Sequence, residues 1–297
     1  MLLSSKLLSS NQSATPASAA GPTPSAVRVW TFLKRYPERT FTPALVASLL
    51  GAWWIATHYF RVPEFILPKP ELVWIELVAG LSHPLTDAGG FWYHSGITIY
   101  ESLAGLVLGS VTGGLLGFSL GASRTLERTF YPFIIAFQAL PKVALAPLLV
   151  IWFGLGYDGK IYITAIITFF PVLVSAIAGT HAVDPDRLDL AKSCNASQIQ
   201  ILHKIVIPSA LPFLFAGLNV ASALAVLGAI VGEFVGARAG LGMLLIQYDQ
   251  AMQIAPLFAV LLLLGLIGFY INYVVRLAEQ KYCFWAQRGR HASQTSR

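Results

Sequence analysis

Long segments with almost no charged residue recur along this chain, and they restrict its fold more than any other feature. Six segments of 19 to 24 residues stand out, and four of the six carry no formal charge. The other two contain only Glu101 and Lys142. A helix rising about 1.5 Å per residue crosses about 30 Å of hydrocarbon over such a length. The predicted spans are residues 41–60, 97–120, 130–153, 161–179, 211–232 and 257–275.

The composition also indicates a membrane protein. Charged residues make up 11% of the chain, against about 25% in soluble domains, and 56% of the residues are apolar. The net charge of +6 does not indicate nucleic-acid binding, because the basic residues are spread over loops and tails without a recognition motif. Backbone groups in hydrocarbon must be hydrogen-bonded internally, so we predict an all-α polytopic membrane protein with six transmembrane helices.

The basic residues outside the spans are distributed unevenly, and the imbalance predicts the orientation of the chain. Fifteen Lys and Arg residues lie in the N-terminal region, in the loops after the second and fourth spans and in the C-terminal region, against four in the alternate loops. The four are Arg61, Lys69, Lys160 and Arg238. Because cytoplasmic loops carry the excess of Lys and Arg, we predict that both termini are cytoplasmic.

Two tails flank the predicted six-helix domain of residues 27–285. Residues 1–26 are rich in Ser, Ala, Thr and Pro, so they bury too little apolar surface to fold and are predicted to be disordered. Residues 286–297 form a C-terminal tail that we place in the cytoplasm. Within the domain, the helical spacing of apolar residues over 71–81 predicts a short helix at the outer surface of the membrane.

Five glycines follow one another at intervals of four residues in and just after the second span. A helix face of this kind allows the backbone of a neighbouring helix to approach closely. The neighbour is either another helix of the same chain or a helix of a second subunit, and the sequence leaves both open. The five are Gly105, Gly109, Gly113, Gly117 and Gly121.

Motifs for catalysis and for metal or nucleotide binding fail in their context. Residues 154–160 match the first seven positions of a phosphate-binding loop, but Ile161 stands where a hydroxyl must hold Mg²⁺, and the segment joins two apolar spans. We therefore predict a tight glycine turn. The histidines lack metal-ligand spacing, and Cys194 and Cys283 are 89 residues apart. We predict no metal site, no cofactor and no enzymatic activity.

The segment 181–212 between the fourth and fifth spans is too long to be only a connection. An Asp-Pro pair and two further aspartates favour the start of a helix, and an asparagine tolerates the left-handed conformation that ends one. A second run with an apolar face follows and stops at a proline. We predict a helix, a sharp turn and a second helix. The residues concerned are Asp184, Pro185, Asp186, Asp189, Asn195, Ser197 and Pro208.

This loop resembles the EAA loop of membrane permease subunits of binding-protein-dependent ABC importers. The usual pattern, E-A-A-x-x-x-G-A-S followed by L-P-x-A-L-P, corresponds to residues 189–197 and 207–212. Asp189 replaces Glu, Leu190 replaces the first Ala, and Asn195 replaces Gly. Asp keeps the charge and Asn keeps the left-handed geometry. The resemblance implies that closure of a separate ATPase is transmitted through Asp184, Asp186, Asp189, Ala191, Asn195, Ala196, Ser197 and Pro208.

Two further stretches, residues 140–154 and 232–242, are similar to the nitrate, sulfonate, taurine and bicarbonate branch of these permeases. The whole resemblance covers about residues 41–285. It implies a type I importer permease fold in the bacterial inner membrane, a second permease copy and a cytoplasmic pair of ATPase subunits. It also implies an extracytoplasmic binding protein that delivers a small solute and makes much of the selection. The branch and Lys142 favour an anion, but the same permease scaffold also resembles carriers of pyrimidine and aromatic compounds, so the sequence leaves the solute open.

Lys142 is the one charge near the middle of a predicted span, where a cation facing lipid costs about 2.5–3.5 kcal/mol or more. It must therefore face protein or a wet cavity. Either Lys142 lines the translocation path or it is a structural lysine. The candidates for the path are Lys142, Pro141, Glu101 and Glu233. In the second case its partner is one of those carboxylates or a backbone carbonyl freed by the prolines near Ala136–Phe137 or at Val143.

A self-sufficient secondary transporter of a small polar solute is the alternative to an importer subunit. Such transporters have repeated halves with broken helices and coupling carboxylates near the middle of the membrane. The first three spans do not visibly repeat in the last three, and Lys142 is a cation. The sequence therefore favours the importer subunit.

Overall fold

The computed structural model describes the backbone of residues 37–285 and the side chains of residues 41–285. The predicted tails, residues 1–26 and 286–297, lie outside the described residues. The chain forms a 3₁₀ turn at Lys142–Leu145 and a π-helical turn at Leu202–Val206. The helices are α1 Pro37–His58, α2 Pro70–Ser82, α3 Phe91–Gly121, α4 Arg124–Ala139, α5 Ala146–Phe153, α6 Tyr157–His181, α7 Pro185–Ser193, α8 Gln198–Ile201, α9 Ile207–Phe234, α10 Leu241–Gln250 and α11 Ile254–Tyr282.

Within residues 37–285, four helices are long and apolar enough to cross a membrane: α3, α6, the continuous helix Gln198–Phe234 and α11. The bent pair of α4 and Lys142–Phe153 would make a fifth span. The all-α class is confirmed. The chain separates at Tyr59 into two units, and α1, in the first, is not among the candidate spans. Six spans and the orientation of the termini therefore stay predictions.

Helix α6 lies between α3 and α9 and packs extensively against both. A methyl group added at any of the five regularly spaced glycines of α3 would overlap atoms of α6. Helix α9 approaches α6 in the same way, through Gly217, Gly228 and Gly232. Of the two neighbours that the sequence left open for the glycine row, the structure therefore shows a helix of the same chain. The α6 residues that meet this row include Thr164, Ala165, Thr168, Phe169, Leu173, Ala176 and Thr180.

The directions of these helices define two ends of the bundle. Helices α3 and α6 run parallel, because the contacts between them advance from Gly105–Thr164 to Gly121–Thr180. Helix α9 runs antiparallel to them, because its contacts with α6 go from Gly217–Ser175 to Gly232–Lys160. Asn219 in α9 donates a hydrogen bond of 2.7 Å to Glu279 near the end of α11. The loop that carries α7 and α8 therefore shares one end, here called the loop end, with the end of α11. Helix α10 lies at the other end, here called the far end.

The third predicted span is not a continuous helix, so the straight helix assumed for Lys142 is wrong, while its depth in the membrane stays a prediction. Helix α4 ends at Ala139, and the chain bends by 81° before it continues toward α5. Leu140 has the extended backbone (φ −65°, ψ 138°) that the following Pro141 imposes on its predecessor. Lys142 starts a 3₁₀ turn after this break, instead of lying midway along a straight helix.

Pro208 does not end the second loop helix, contrary to the prediction. The run from Gln198 continues through the π-helical turn into α9, so the predicted fifth span is part of a longer helix. In the π-helical turn the Ile207 N–H donates to the carbonyl of Leu202, five residues earlier. The wider turn accommodates the ring of Pro208, which in an α-helix would press against the carbonyl of Lys204.

Two smaller predictions agree with the structure. Gly154 ends α5 with a φ of 83°, a left-handed conformation that favours glycine, as expected for a tight turn. The short helix predicted over residues 71–81 forms as α2 and buries Val73 and Leu77. Helix α2 packs on α11, while its position relative to a membrane stays a prediction.

Candidate functional site

The loop between α6 and α9, residues 184–208, forms the predicted helix, turn and helix; we call it the α7–α8 loop. Asp184 caps α7, because its Oδ1 accepts a hydrogen bond of 3.0 Å from the Asp186 N–H. Pro185 is the first helical residue, where its missing N–H costs nothing. Asp189 is exposed and forms a 3.1 Å ion pair with Lys192. The start of α7 is therefore fixed by its own sequence.

The turn after α7 depends on Asn195, which has a φ of 59°. The Asn195 N–H donates to the Lys192 carbonyl (2.9 Å) and the Ala196 N–H to the Ala191 carbonyl (3.0 Å). These two bonds form a Schellman motif, in which the residue at the position of Asn195 must be left-handed. The Asn that replaces Gly of the EAA pattern thus adopts the conformation that the pattern requires.

Helix α8 begins with a capping box. The Ser197 hydroxyl accepts from the Gln200 N–H (3.3 Å), and the Gln200 side chain accepts from the Ser197 N–H (2.9 Å). The spacing Ser-x-x-Gln is a sequence signature of a helix N-terminus and was an available signal for this cap.

The α7–α8 loop presents apolar side chains to solvent. Leu190 is 67% exposed and Ile199 is 75% exposed. Ala191 borders an open groove of about 620 Å³ whose wall includes Pro208 and, from beyond α11, Trp285. Exposed apolar residues beside a groove are typical of a protein-binding surface.

Lys142 does not pair with Glu101 or Glu233, which corrects two of its predicted partners. Its Nζ donates to the Gln138 carbonyl at 2.9 Å and lies 4.9 Å from the centre of the Phe170 ring. The partner is thus a carbonyl just before the proline break, one residue beyond the predicted pair. Lys142 lines an open cavity of about 640 Å³ between α3, α4, α5 and α6, whereas Pro141 shapes the turn and does not line it.

Glu101 pairs with Lys160, a residue that the sequence analysis placed in an outer loop. Lys160 instead lies in the first turn of α6, where its side chain is 6% exposed and its Nζ contacts Glu101 Oε1. Gly232 of α9 leaves room for the aliphatic part of Lys160. A lone acid in one apolar span and a lone base at the start of another were the available signal for this pair.

Glu233 holds the start of α10. Its Oε1 accepts a 2.7 Å hydrogen bond from the Thr98 hydroxyl, and its Oε2 accepts from the Gly242 N–H. The Thr98 oxygen accepts in turn from the Leu241 N–H at 2.9 Å. A carboxylate is stabilised at a helix N-terminus by the unpaired N–H groups and the helix dipole.

His94 completes this arrangement as a neutral side chain. Its Nδ1 accepts a 3.0 Å hydrogen bond from the Gly240 N–H, so the ring proton lies on Nε2, which donates to the Ala88 carbonyl at 2.9 Å. Both ring nitrogens are therefore used. We call Glu101, Lys160, Glu233, Thr98 and His94 the far-end cluster; all five side chains are buried.

A bundle of long apolar helices with a charged cluster inside and an exposed helical loop at one end is the architecture of a polytopic membrane protein. Residues 105–282 match the family described as the binding-protein-dependent transport system inner membrane component. The match covers more than half of the sequence, and the chain belongs to this family.

Individual relatives are similar over most of their length. A probable ABC transporter permease of Haemophilus influenzae is 35% identical over 80% of this chain and 94% of that protein. The riboflavin transport system permease RibX of Chloroflexus aurantiacus is 34% identical, over 82% and 89%. The taurine transport system permease TauC of Escherichia coli is 28% identical, over 83% and 90%. A solved inward-facing MetNI methionine ABC transporter shares the fold, with a TM-score of 0.52 and 21% identity over 70% of this chain and 98% of that chain.

The chain is therefore a permease subunit of an ABC importer in the inner membrane, a transport component and not an enzyme. The resemblance found in the sequence is confirmed, including its branch, to which the taurine relative belongs. The alternative of a self-sufficient secondary transporter is not supported.

Proposed function

We propose that two copies of this permease form the membrane core of an importer for a small anionic solute, which an extracytoplasmic binding protein delivers. A pair of ATPase subunits docks on the α7–α8 loop and supplies the energy. The observation that carries the proposal is the loop itself, an ordered helix, turn and helix with exposed apolar side chains. The taurine relative and the cation at Lys142 support an anion as the solute.

The loop geometry supports a coupling role for specific residues. Asp184, Asn195 and Ser197 fix its shape through a cap, a Schellman motif and a capping box. Leu190 and Ile199 supply apolar area for contact, because both are largely exposed. A rigid loop transmits a displacement of the ATPase to α6 and α9, to which it is joined at both ends.

The test is to change the loop surface without changing its backbone. We expect Asp189→Lys and Ala191→Trp to lower co-purification of the ATPase at least tenfold and to abolish ATP hydrolysis stimulated by the binding protein. Insertion into the membrane stays normal, because neither side chain belongs to the bundle core. Asp249→Lys, the same charge change on an exposed residue at the far end, is the matched control. Normal co-purification and stimulation in both loop variants would contradict the proposal.

We also propose that Lys142 lines the translocation path. Its amino group borders an open cavity at the break between α4 and α5, which supports access by a solute. Glu101 and Glu233 are buried in the far-end cluster, which favours a structural role for both. Lys142→Met is expected to abolish uptake of the solute held by the cognate binding protein, with normal assembly and docking, whereas Lys142→Arg retains uptake. Unchanged uptake in Lys142→Met would exclude the pathway role.

A further inference from the structure

The cavity beside Lys142 has walls of an unusual kind for an inorganic anion. Six of its fourteen lining residues are aromatic, and Lys142 is the one charged residue among the fourteen. The other polar groups on the side chains that line it are the hydroxyls of Thr112 and Tyr162 and the indole N–H of Trp152. The aromatic residues are Phe137, Trp152, Phe153, Tyr162, Phe169 and Phe170.

The rings form packed pairs around the cavity. Phe153 and Tyr162 have ring centres 4.4 Å apart, and Phe169 and Phe170 have centres 5.0 Å apart with nearly perpendicular planes. These pairs join α5 to α6 and stiffen the α6 wall. A flat ring can be added to such a wall by stacking or by edge-to-face contact.

Lys142 retains hydrogen-bonding capacity toward the cavity. An ammonium group has three N–H donors, and the Gln138 carbonyl accepts one of them. Two donors remain for an acidic group. The Phe170 ring lies beside the same Nζ, so charge and aromatic surface occur at one place.

We propose that this cavity binds an aromatic anion, a flat ring that carries a sulfonate or carboxylate group; the inference rests on the pathway role proposed for Lys142. A small inorganic anion in this cavity exchanges its hydration for one ammonium group and apolar walls, which is unfavourable. A ring gains from the apolar walls while its acidic group binds Lys142. The volume of about 640 Å³ is in the range of about 300–1,000 Å³ of small-molecule sites.

Binding to the assembled complex in lipid nanodiscs tests both halves of this proposal. The probes are benzenesulfonate, methanesulfonate, which lacks the ring, and benzyl alcohol, which lacks the charge. We expect benzenesulfonate to bind at least tenfold more tightly than either. Lys142→Met and Phe170→Leu each lower its affinity at least tenfold. The control is Trp74→Leu, because Trp74 is an exposed aromatic residue outside the cavity, and we expect this variant to leave the affinity for benzenesulfonate unchanged.

Equal binding of methanesulfonate would overturn the aromatic part, and equal binding of benzyl alcohol would overturn the anionic part. Benzenesulfonate affinity that is unchanged in Lys142→Met would overturn the site. Other results would contradict the proposed function. They are normal co-purification and stimulation of the ATPase in the α7–α8 loop variants, or normal import of the solute by Lys142→Met. Lost uptake in Lys142→Met without benzenesulfonate binding to the unmodified complex overturns only the solute class.

Discussion

Buried charge is concentrated in the ion pair between Glu101 and Lys160, which joins α3 to α6 at the far end. Two ions of opposite charge that are removed from water stabilise a fold only weakly, because desolvation offsets their attraction. Lys160 is the one ion-pair partner of Glu101 among the described residues, so the charge of this carboxylate is compensated by Lys160. The pair therefore specifies how the helices align more than it adds stability.

This dependence predicts a non-additive mutational cycle. Lys160→Met leaves the Glu101 carboxylate buried and unpaired, and it is expected to destabilise the bundle by about 3–5 kcal/mol. Lys160→Met combined with Glu101→Leu removes both charges and recovers much of that loss. The thermal unfolding of the purified permease measures each variant. A double variant whose destabilisation equals the sum of the two single variants would show that the two charges do not interact.

Which residues could be predicted depended on how local their role is. The left-handed conformation of Asn195 follows from a short pattern, and the structure has it. The partner of Glu101 is 59 positions away, and the sequence offers only a weak signal for it, a lone acid in one apolar span and a lone base at the start of another. Lys160 borders the apolar run at Ile161 directly, so its position alone was compatible with a loop residue or with the first turn of a helix.

At the scale of helices, the effect of a proline also could not be predicted from the sequence alone. Pro141 separates α4 from the turn before α5, whereas Pro208 lies in a helix that continues past it. The difference comes from the preceding residues: Leu140 adopts the extended backbone, and the segment before Pro208 adopts a π-helical turn. Both outcomes satisfy the steric demand of a proline, and the choice between them depends on packing with other helices.

The packing of α3 on α6 predicts opposite effects for two identical substitutions in α3. Gly109→Ala places a methyl group against the Ala165 carbonyl and the Thr168 hydroxyl, and the overpacking is expected to cost about 1–3 kcal/mol. Gly96→Ala meets no atom within 4 Å and is expected to stabilise the helix by up to about 1 kcal/mol. Melting temperatures of the two variants compare the effects. A Gly109→Ala variant that melts at or above the unmodified protein would contradict close α3–α6 packing.

For the whole molecule, the helices gather many of the basic residues at one end of the bundle, in agreement with the charge asymmetry of the sequence. Seven basic residues in the described region occur in or next to the loop end: Arg124, Arg128, Arg187, Lys192, Lys204, Arg276 and Lys281. The positive-inside rule assigns this end to the cytoplasm, where an ATPase would dock. The distribution of Lys and Arg over the loops predicts the orientation of the chain in the membrane. The helix packing alone does not determine it, because the same bundle could be inserted either way.

The two native cysteines provide a test of this orientation. Cys194 is exposed in the α7–α8 loop, whereas Cys283 is 2% exposed just beyond α11. Burial, together with the nearby Glu279 carboxylate, raises the pKa of the Cys283 thiol, so its reactive thiolate fraction is lower at neutral pH and increases as the pH rises. In inverted membrane vesicles without ATPase at pH 7, a membrane-impermeant maleimide is expected to modify Cys194 rapidly and Cys283 slowly. Raising the pH to about 9 narrows the difference between the two modification rates.

In intact spheroplasts the reagent is expected to modify neither cysteine. Leu85→Cys at the far end, in a chain without the native cysteines, is the control and reacts only from outside. Modification of Cys194 in intact spheroplasts would place the α7–α8 loop outside the cell and would contradict both the orientation and the docking of an ATPase on this loop.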